Sequence, residues 1–254
     1  MFPYVKQGGV WVPAQTFVKT GGVWKRTTTS VRNAGVWATE QLFATDFGEY
    51  TVGQAPSDWT SRYGAGTSIA VQSVAGSLSG KALRFTKTSA ARNFFSWDRV
   101  PQVADVEILA RLRSIEVASV AQSILRLTGR ASGAALSENC HTAGAHWHSS
   151  SGTAWRQNSH VIVNGTSTVL LPQNDAPSPS FVVGNWFWIR FRMQGNSFSY
   201  KLWWQGAAEP ATFQTYTNTA LSTAGYTGIS TVEDNPDSEC DFFSVATGGA
   251  TALT

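Results

Sequence analysis

Residues 186–205 read WFWIRFRMQGNSFSYKLWWQ. Two runs with period-two alternation flank Gly195-Asn196, a pair suited to a two-residue hairpin turn. Pairing outward from that turn sets Met193 opposite Phe198, Phe191 opposite Tyr200, Ile189 opposite Leu202 and Phe187 opposite Trp204. These four pairs make one apolar face, the face expected to join a core. The reverse face sets Arg192 opposite Ser199, Arg190 opposite Lys201 and Trp188 opposite Trp203. Like charges placed directly opposite destabilise a sheet. That face therefore needs an anion, a carboxylate or open water.

Asp105–Arg113 repeats the pattern. Val106, Ile108, Ala110 and Leu112 face one way; Asp105, Glu107, Arg111 and Arg113 face the other, with Leu109 as the exception. Further strands are expected at 42–47, 68–73, 82–87, 92–97, 122–129, 161–163, 168–171, 212–216, 225–230 and 241–246. Turn signals such as Gly64-Ala65-Gly66, Ser79-Gly80 and Asn235-Pro236 separate them. No long segment shows a 3.6-residue period. The fold expected is all-β, with residues 41–254 forming one sandwich.

Composition agrees. Hydrophobic residues are 42% of 254, with 14 Phe, 11 Trp and 6 Tyr, enough for a substantial core and too many for disorder. Lys+Arg 19 against Asp+Glu 16 leaves +3, too small a surplus for a nucleic-acid footprint. No run approaches the ~18 apolar residues of a membrane helix, so no membrane insertion is expected. The N-terminus shows no basic-then-apolar leader, so no secretory signal is expected. Cys140 and Cys240 are the only cysteines, too few for a disulfide scaffold, although one bridge is geometrically possible.

The first forty residues repeat. Tyr4-Val5-Lys6-Gln7-Gly8-Gly9-Val10-Trp11 returns as Phe17-Val18-Lys19-Thr20-Gly21-Gly22-Val23-Trp24. A weaker copy runs Ser30-Val31-Arg32-Asn33-Ala34-Gly35-Val36-Trp37. Each unit reads as strand, glycine turn, strand. A hairpin this short does not hold itself together in water. Residues 1–40 are therefore expected to pack on their own copies, on the body or on a neighbouring chain.

The GGVW units at 8–11 and 21–24 resemble N-terminal segments of tailed-phage appendage proteins and gene-transfer-agent relatives. The body resembles the concanavalin A-like jelly roll, through Phe43-Ala44-Thr45-Asp46-Phe47, Asp105–Arg113, Trp186–Trp204 and Asp241-Phe242-Phe243-Ser244-Val245. That resemblance implies two curved antiparallel sheets whose first and last strands lie side by side. It also implies a virion protein, assembled in the host cytoplasm: a head spike, tail fibre or decoration protein. Such a protein would attach to other virion proteins through residues 1–40 and bind host-surface polysaccharide. A closed homo-oligomer is the default for such parts, and a trimer is expected.

Four groups of residues are candidate sites. Trp188 and Trp203, flanked by Arg190 and Lys201, offer rings to sugar C–H faces and cations to an acidic polysaccharide. The alternative is that this face packs under a loop, the repeats or another subunit. Segment 138–160 reads as loop-rich and holds all four histidines, His141, His146, His148 and His160, with Trp147 and Trp155. As a binding tip it offers His146, Trp147, His148 and Trp155 to a glycan; a shared metal at His146 and His148 is the weaker reading. The acidic run from Glu233 to Asp241, with Asp46 nearby if the end strands pair, is a candidate structural Ca²⁺ site through Asp46 and Asp241. No other cofactor is expected. Asp105 and Glu107 alternate as glycosidase carboxylates do, but Val103 and Leu109 stand where further acids are wanted, and no nucleophile motif is present. The function expected is recognition, not catalysis. The alternatives are a connector or cement protein without glycan binding and, further off, a glycan-degrading enzyme.

Overall fold

The computed structural model describes residues 42–89, 91–116, 122–147, 155–175, 182–232 and 236–253, preceded by six short strands. Those six form three separate antiparallel hairpins: β1 (Tyr4–Gln7) with β2 (Val10–Pro13), β3 (Phe17–Thr20) with β4 (Val23–Arg26), and β5 (Val31–Asn33) with β6 (Val36–Ala38). The strands that follow are, in chain order, β7 (Leu42–Thr45), β8 (Trp59–Tyr63), β9 (Thr67–Ser73), β10 (Lys81–Lys87) and β11 (Asn93–Trp97). Next come β12 (Val106–Ser114), β13 (Gln122–Ser132), β14 (Asn139–Trp147), β15 (Trp155–Val163) and β16 (Thr166–Asp175). The last are β17 (Phe187–Gln194), β18 (Ser197–Trp204), β19 (Gln214–Thr217), β20 (Tyr226–Thr231) and β21 (Ser238–Thr247). No helix occurs among the described residues.

Two antiparallel sheets face each other as a jelly-roll sandwich. The eight-stranded sheet runs β19-β18-β17-β12-β21-β10-β9, with β7 also paired to β21. The seven-stranded sheet runs β16-β15-β14-β13-β20-β11-β8. The β17–β18 hairpin has the register read from its sequence, from Phe187 opposite Trp204 down to Met193 opposite Phe198. Gly195 takes φ +54°, as a first-position turn glycine does without strain. Phe187, Ile189, Phe191, Phe198 and Tyr200 are fully buried, and Val106, Ile108, Ala110 and Leu112 of β12 lie beside them in the same core. Each such side chain contributes about 1.5–3 kcal/mol of burial. Phe243 of β21 packs edge-on against Trp59 and Trp97 of the opposite sheet, with centroids 5.1 and 5.7 Å away.

The first and last strands of the sandwich meet as the resemblance implied. Val245 lies opposite Phe43 and Phe243 opposite Thr45. Strand β21 serves two neighbours on one edge: Ser238–Cys240 pair with β10, and Phe243–Ala246 pair with β7. The changeover falls at a bulge. Leu112 opposes Cys240 and Arg111 opposes Phe242, which leaves Asp241 as the extra residue.

Two strands escaped the sequence reading. Strand β8 lacks apolar alternation, and β14 falls in the segment read as loop. Residues 139–147 are small and polar, yet β14 is an interior strand between β13 and β15. Its inward residues Ala143 and Ala145 are small because they lie in the main core, where larger groups from both sheets fill the space. Both cysteines are free and buried, Cys140 in a cluster with Tyr63, Phe94 and Ile162, and Cys240 in the main core. The bridge between them is not formed.

The outer face of the eight-stranded sheet is closed by its own chain. Glu107 of β12, 2% exposed, lies between Arg190 and Arg192 of β17 and accepts hydrogen bonds from both. Glu209, in the connection after β18, accepts from Arg190 Nε at 2.7 Å and from Lys201 Nζ at 2.8 Å. The chain end folds over them. Arg190 Nη1 donates to the Ala252 carbonyl at 2.9 Å, and the Ala252 N–H donates to Glu107 at 3.1 Å. Leu109, the apolar exception on the polar face, packs here with Trp203, Ala246 and Ala252. Removing Glu107 would take a carboxylate from both guanidiniums and leave buried Arg190 with Glu209 and the Ala252 carbonyl. Glu107→Ala should cost about 3–5 kcal/mol in urea-unfolding free energy. Asp105→Ala, at a half-exposed carboxylate on the same strand, should cost less than about 1 kcal/mol.

Candidate functional site

The residues singled out from the sequence fall on both sheets. Trp203, Arg190 and Lys201 are 5%, 4% and 9% exposed, and their faces meet protein. Trp188 is half-buried, stacked on Trp203 with centroids 6.2 Å apart, and its indole N–H donates to Gln205 at 2.7 Å. The carboxylate that the opposed cations required is supplied internally by Glu107 and Glu209. Burial would raise the Glu209 carboxyl, but the hydrogen bonds from Arg190 and Lys201 hold it below its ordinary value. On this face Trp203, Arg190 and Lys201 thus lie against the 205–213 connection and residues 250–252, and Trp188 stays half-buried beside them.

His146 and Trp147 end β14 and Trp155 begins β15; Trp147 lies opposite Trp155 and His146 opposite Arg156. Their side chains, and all of His148, lie outside the described residues. His141 is buried, its ring 4.0 Å from that of Phe198, and His160 approaches Ser167 at 3.1 Å through Nδ1. Burial and the nearby Arg130 push the His141 imidazole down to about 4.

The end strands do bring Asp46 and Asp241 to one loop. The Asp46 carbonyl accepts from Ser79 Oγ at 2.5 Å, and Asp241 accepts from the Leu78 N–H at 3.0 Å. Asp241 is also paired with Arg111 at 3.1 Å, and Asp46 Oδ1 accepts from the Gly48 N–H. Arg111 is thus the positive charge beside Asp241. No group of three or more metal-ligating side chains gathers among the described residues. Glu239 of the same acidic run is buried between Arg84 and Arg113, at 2.6 Å from each, and Asp237 accepts from the Lys87 N–H. Glu233 and Asp234 lie outside the described residues.

A cleft that the sequence reading did not find opens at the ends of β8, β11, β14 and β15. Its volume is about 540 Å³. Tyr63, Gly64, Ala65, Ala91, Ala135 and Leu136 line it with mostly apolar surface; Arg92 and Glu138 bring the polar groups. Two turns build its wall. Asn164 (φ +49°) and Gly165 (φ +78°) join β15 to β16, and the 133–138 turn joins β13 to β14. The turns are latched: the Gly165 N–H donates to the Glu138 carbonyl at 2.9 Å, and Arg92 Nη1 donates to the Gly165 carbonyl and to Glu138 Oε1, at 3.0 and 3.1 Å. Gly165 is required here, because a Cβ would come within 2.3 Å of the Leu136 carbonyl oxygen.

Two features of the cleft are costly to the fold. Glu138 is 2% exposed, and its Oε2 has no hydrogen-bond partner. Leu136 is 91% exposed and holds φ +69°, a conformation unfavourable for a residue with a branched side chain. Behind the cleft, Tyr63 packs on Phe94 and approaches Cys140 Sγ at 3.8 Å. Burial pushes the Tyr63 hydroxyl well above its ordinary value and the Cys140 thiol up to about 12, so both stay neutral. Further along β14, Thr142 Oγ1 is buried without a partner, as are both side-chain polar atoms of Asn158 on β15, opposite Gly144. The local sequence signals for this site are two turn clusters, Gly64-Ala65-Gly66 and the hairpin-turn pair Asn164-Gly165.

No protein-family model matches the sequence, and no curated protein matches it. Solved structures do resemble it. The VIP36 exoplasmic/lumenal domain in its Ca²⁺/Man-bound form aligns over 83% of this chain and 92% of its own, with TM-score 0.54 and 12% identity. The CBM2 module of the Lactobacillus casei BL23 phage J-1 evolved Dit aligns over 81% and 95%, with TM-score 0.52 and 11% identity. The conserved carbohydrate esterase vb_24B_21 of the Shiga toxin-encoding bacteriophage phi24B aligns over 74% and 88%, with TM-score 0.50 and 14% identity. At these identities the likeness shows the fold.

His141 and Asp241 give opposite pH signatures. Burial raises the Asp241 carboxyl to about 6 from 3.8, despite Arg111 and the Leu78 N–H. The folded state then binds more protons than the unfolded state between those values, so this group's contribution falls as pH rises through that window. His141, lowered from 6.5 to about 4, binds fewer protons when folded, so its contribution rises with pH across its window. In urea midpoints measured from pH 4 to 6.5, Asp241→Asn should steepen the rise of stability with pH. His141→Gln should tilt the profile the other way. Parallel profiles for the two variants would contradict both assignments.

Proposed function

We propose that this chain is a glycan-recognition module carried on a phage-type particle, binding host-surface sugar without cleaving it. The observation that carries the reading is the cleft beside Tyr63 and Leu136: an apolar lining of ring and methyl groups around a buried carboxylate oxygen that lacks a donor. Sugars match that chemistry, with C–H faces for the apolar wall and hydroxyls that donate to Glu138. A volume of about 540 Å³ accommodates one or two pyranose rings. The structural neighbours add support: a mannose-bound form, a carbohydrate-binding module of a phage Dit and a phage carbohydrate esterase.

The reading keeps virion display and oligomeric copies as its setting, since weak single sites gain strength when several engage together. It treats the chain as a non-enzyme. Of the carboxylates first weighed for catalysis, Glu107 is buried between two arginines, and Asp105 accepts from the Gly195 N–H and Arg130. A purely structural connector is the reading to which failure on every glycan would point.

Leu136→Gly tests the cleft without threatening the fold. Glycine adopts φ +69° freely, so stability should hold or rise by up to about 1 kcal/mol. Affinity for the best ligand found on a glycan array, measured by titration calorimetry, should fall about 5- to 10-fold, as expected for one lost apolar contact. Reducing ends should not appear on prolonged incubation. Unchanged affinity in this variant, or release of reducing ends, would overturn the proposal.

A further inference from the structure

The pairing within the three N-terminal hairpins places the same two residue types on the same rung each time. Lys6 lies opposite Trp11, Lys19 opposite Trp24 and Arg32 opposite Trp37. In a hairpin with a two-residue loop, the rung next to the turn is hydrogen-bonded. These pairs lie one rung further out, at a non-hydrogen-bonded position, with Cα atoms about 4.5 Å apart. The neighbouring rungs each keep one valine and vary its partner: Val5–Val12, Val18–Lys25 and Val31–Ala38 on one side, Gln7–Val10, Thr20–Val23 and Asn33–Val36 on the other. The cation–tryptophan rung is kept through all three, and in the third copy lysine becomes arginine, which preserves charge and not shape. Of the chain's 19 cations, five (Lys6, Lys19, Lys25, Arg26 and Arg32) fall in the first 41 residues, against one carboxylate, Glu40, of 16.

We infer that the hairpins are a three-unit array for an acidic polysaccharide, with each rung taking one uronate-type sugar. A uronate offers a C–H face for an indole and, on the same ring, a carboxylate for a cation. One tryptophan and one cation on a shared rung supply that pair of contacts. The repetition argues for a ligand that itself repeats: a polymer meets equal units along its length, which a single protein surface does not. The array stands apart from the cleft at Tyr63 and goes beyond the reading of that cleft.

The test uses the full-length chain and three polymers: polygalacturonate, neutral dextran and poly-L-glutamate. Biolayer interferometry should show polygalacturonate bound, with affinity falling as salt rises, and the other two bound at least ~10-fold more weakly. Replacing one cation, as in Lys19→Gln, should weaken binding about 2- to 5-fold. The triple Lys6→Gln/Lys19→Gln/Arg32→Gln should lose at least ~10-fold, because the units act together. Replacing all three tryptophans by phenylalanine should retain most binding; replacing them by valine, a good strand former, should abolish it. Leu136→Gly should bind polygalacturonate like the parent, which separates this site from the cleft. Equal binding of poly-L-glutamate, the result expected of an acidic-protein docking surface, or undiminished binding by the valine variant, would overturn the inference.

Discussion

Glu107 stands between Arg190 and Arg192 on the outer face of the larger sheet, and much of the molecule's arrangement answers to that contact. The β17–β18 hairpin is committed to the core by its four large apolar pairs, so its other face must carry Arg190 directly opposite Lys201. Such a pair is unstable unless negative charge is brought to it. Glu107 arrives from the adjacent strand and Glu209 from the connection that follows, and the Ala252 backbone completes the hydrogen bonds. The ions are sealed because every one has a partner, the condition under which buried charge is tolerated. The same logic runs across the sheet to Arg111 with Asp241, and to Glu239 between Arg84 and Arg113.

This internal neutralisation bears on where the proposed recognition site lies. The Trp188–Trp203 stack and its cations have the composition of a polysaccharide platform, and Trp203, Arg190 and Lys201 are buried against the chain itself, with Trp188 half-buried. Both sheets keep some buried polar atoms without partners, Arg111 Nε and Asp241 Oδ1 on the larger among them; the smaller sheet adds an open apolar cleft beside its own. At its turn-bearing edge, buried polar atoms are left without partners and an exposed leucine holds a strained backbone. Features that cost stability and satisfy nothing within the chain are where a ligand has something to contribute.

The legible parts of the sequence were those where one physical rule acted alone. Period-two alternation gave the β17–β18 register and the inward face of β12, and matching end strands gave the pairing of β7 with β21. Reading failed where partners lay far off in sequence. Nothing near Arg190 announces that Glu107 and Ala252 will cover it, although Leu109, an apolar residue on a polar face, was the sign of a cover. Strand β14 was hidden because an interior strand can be held by its neighbours' ladders and carry small or polar residues. The cleft was hidden because Tyr63, Arg92, Leu136 and Gly165 come from four separate turns or strand ends. The repeats were visible as repeats; their shared rung became visible only once the strands were paired.

The central claim is that the larger sheet's outer face is closed from within and that the body of the chain meets its ligand at the smaller sheet's turns. The most direct measurement is a map of backbone amide shifts in a two-dimensional NMR titration with a neutral oligosaccharide that the protein binds. The account predicts perturbations clustered at residues 63–65, 91–92, 135–138 and 165, with Trp188, Lys201 and Trp203 unmoved. Perturbations centred on Trp188 and Trp203, with the turns silent, would contradict it.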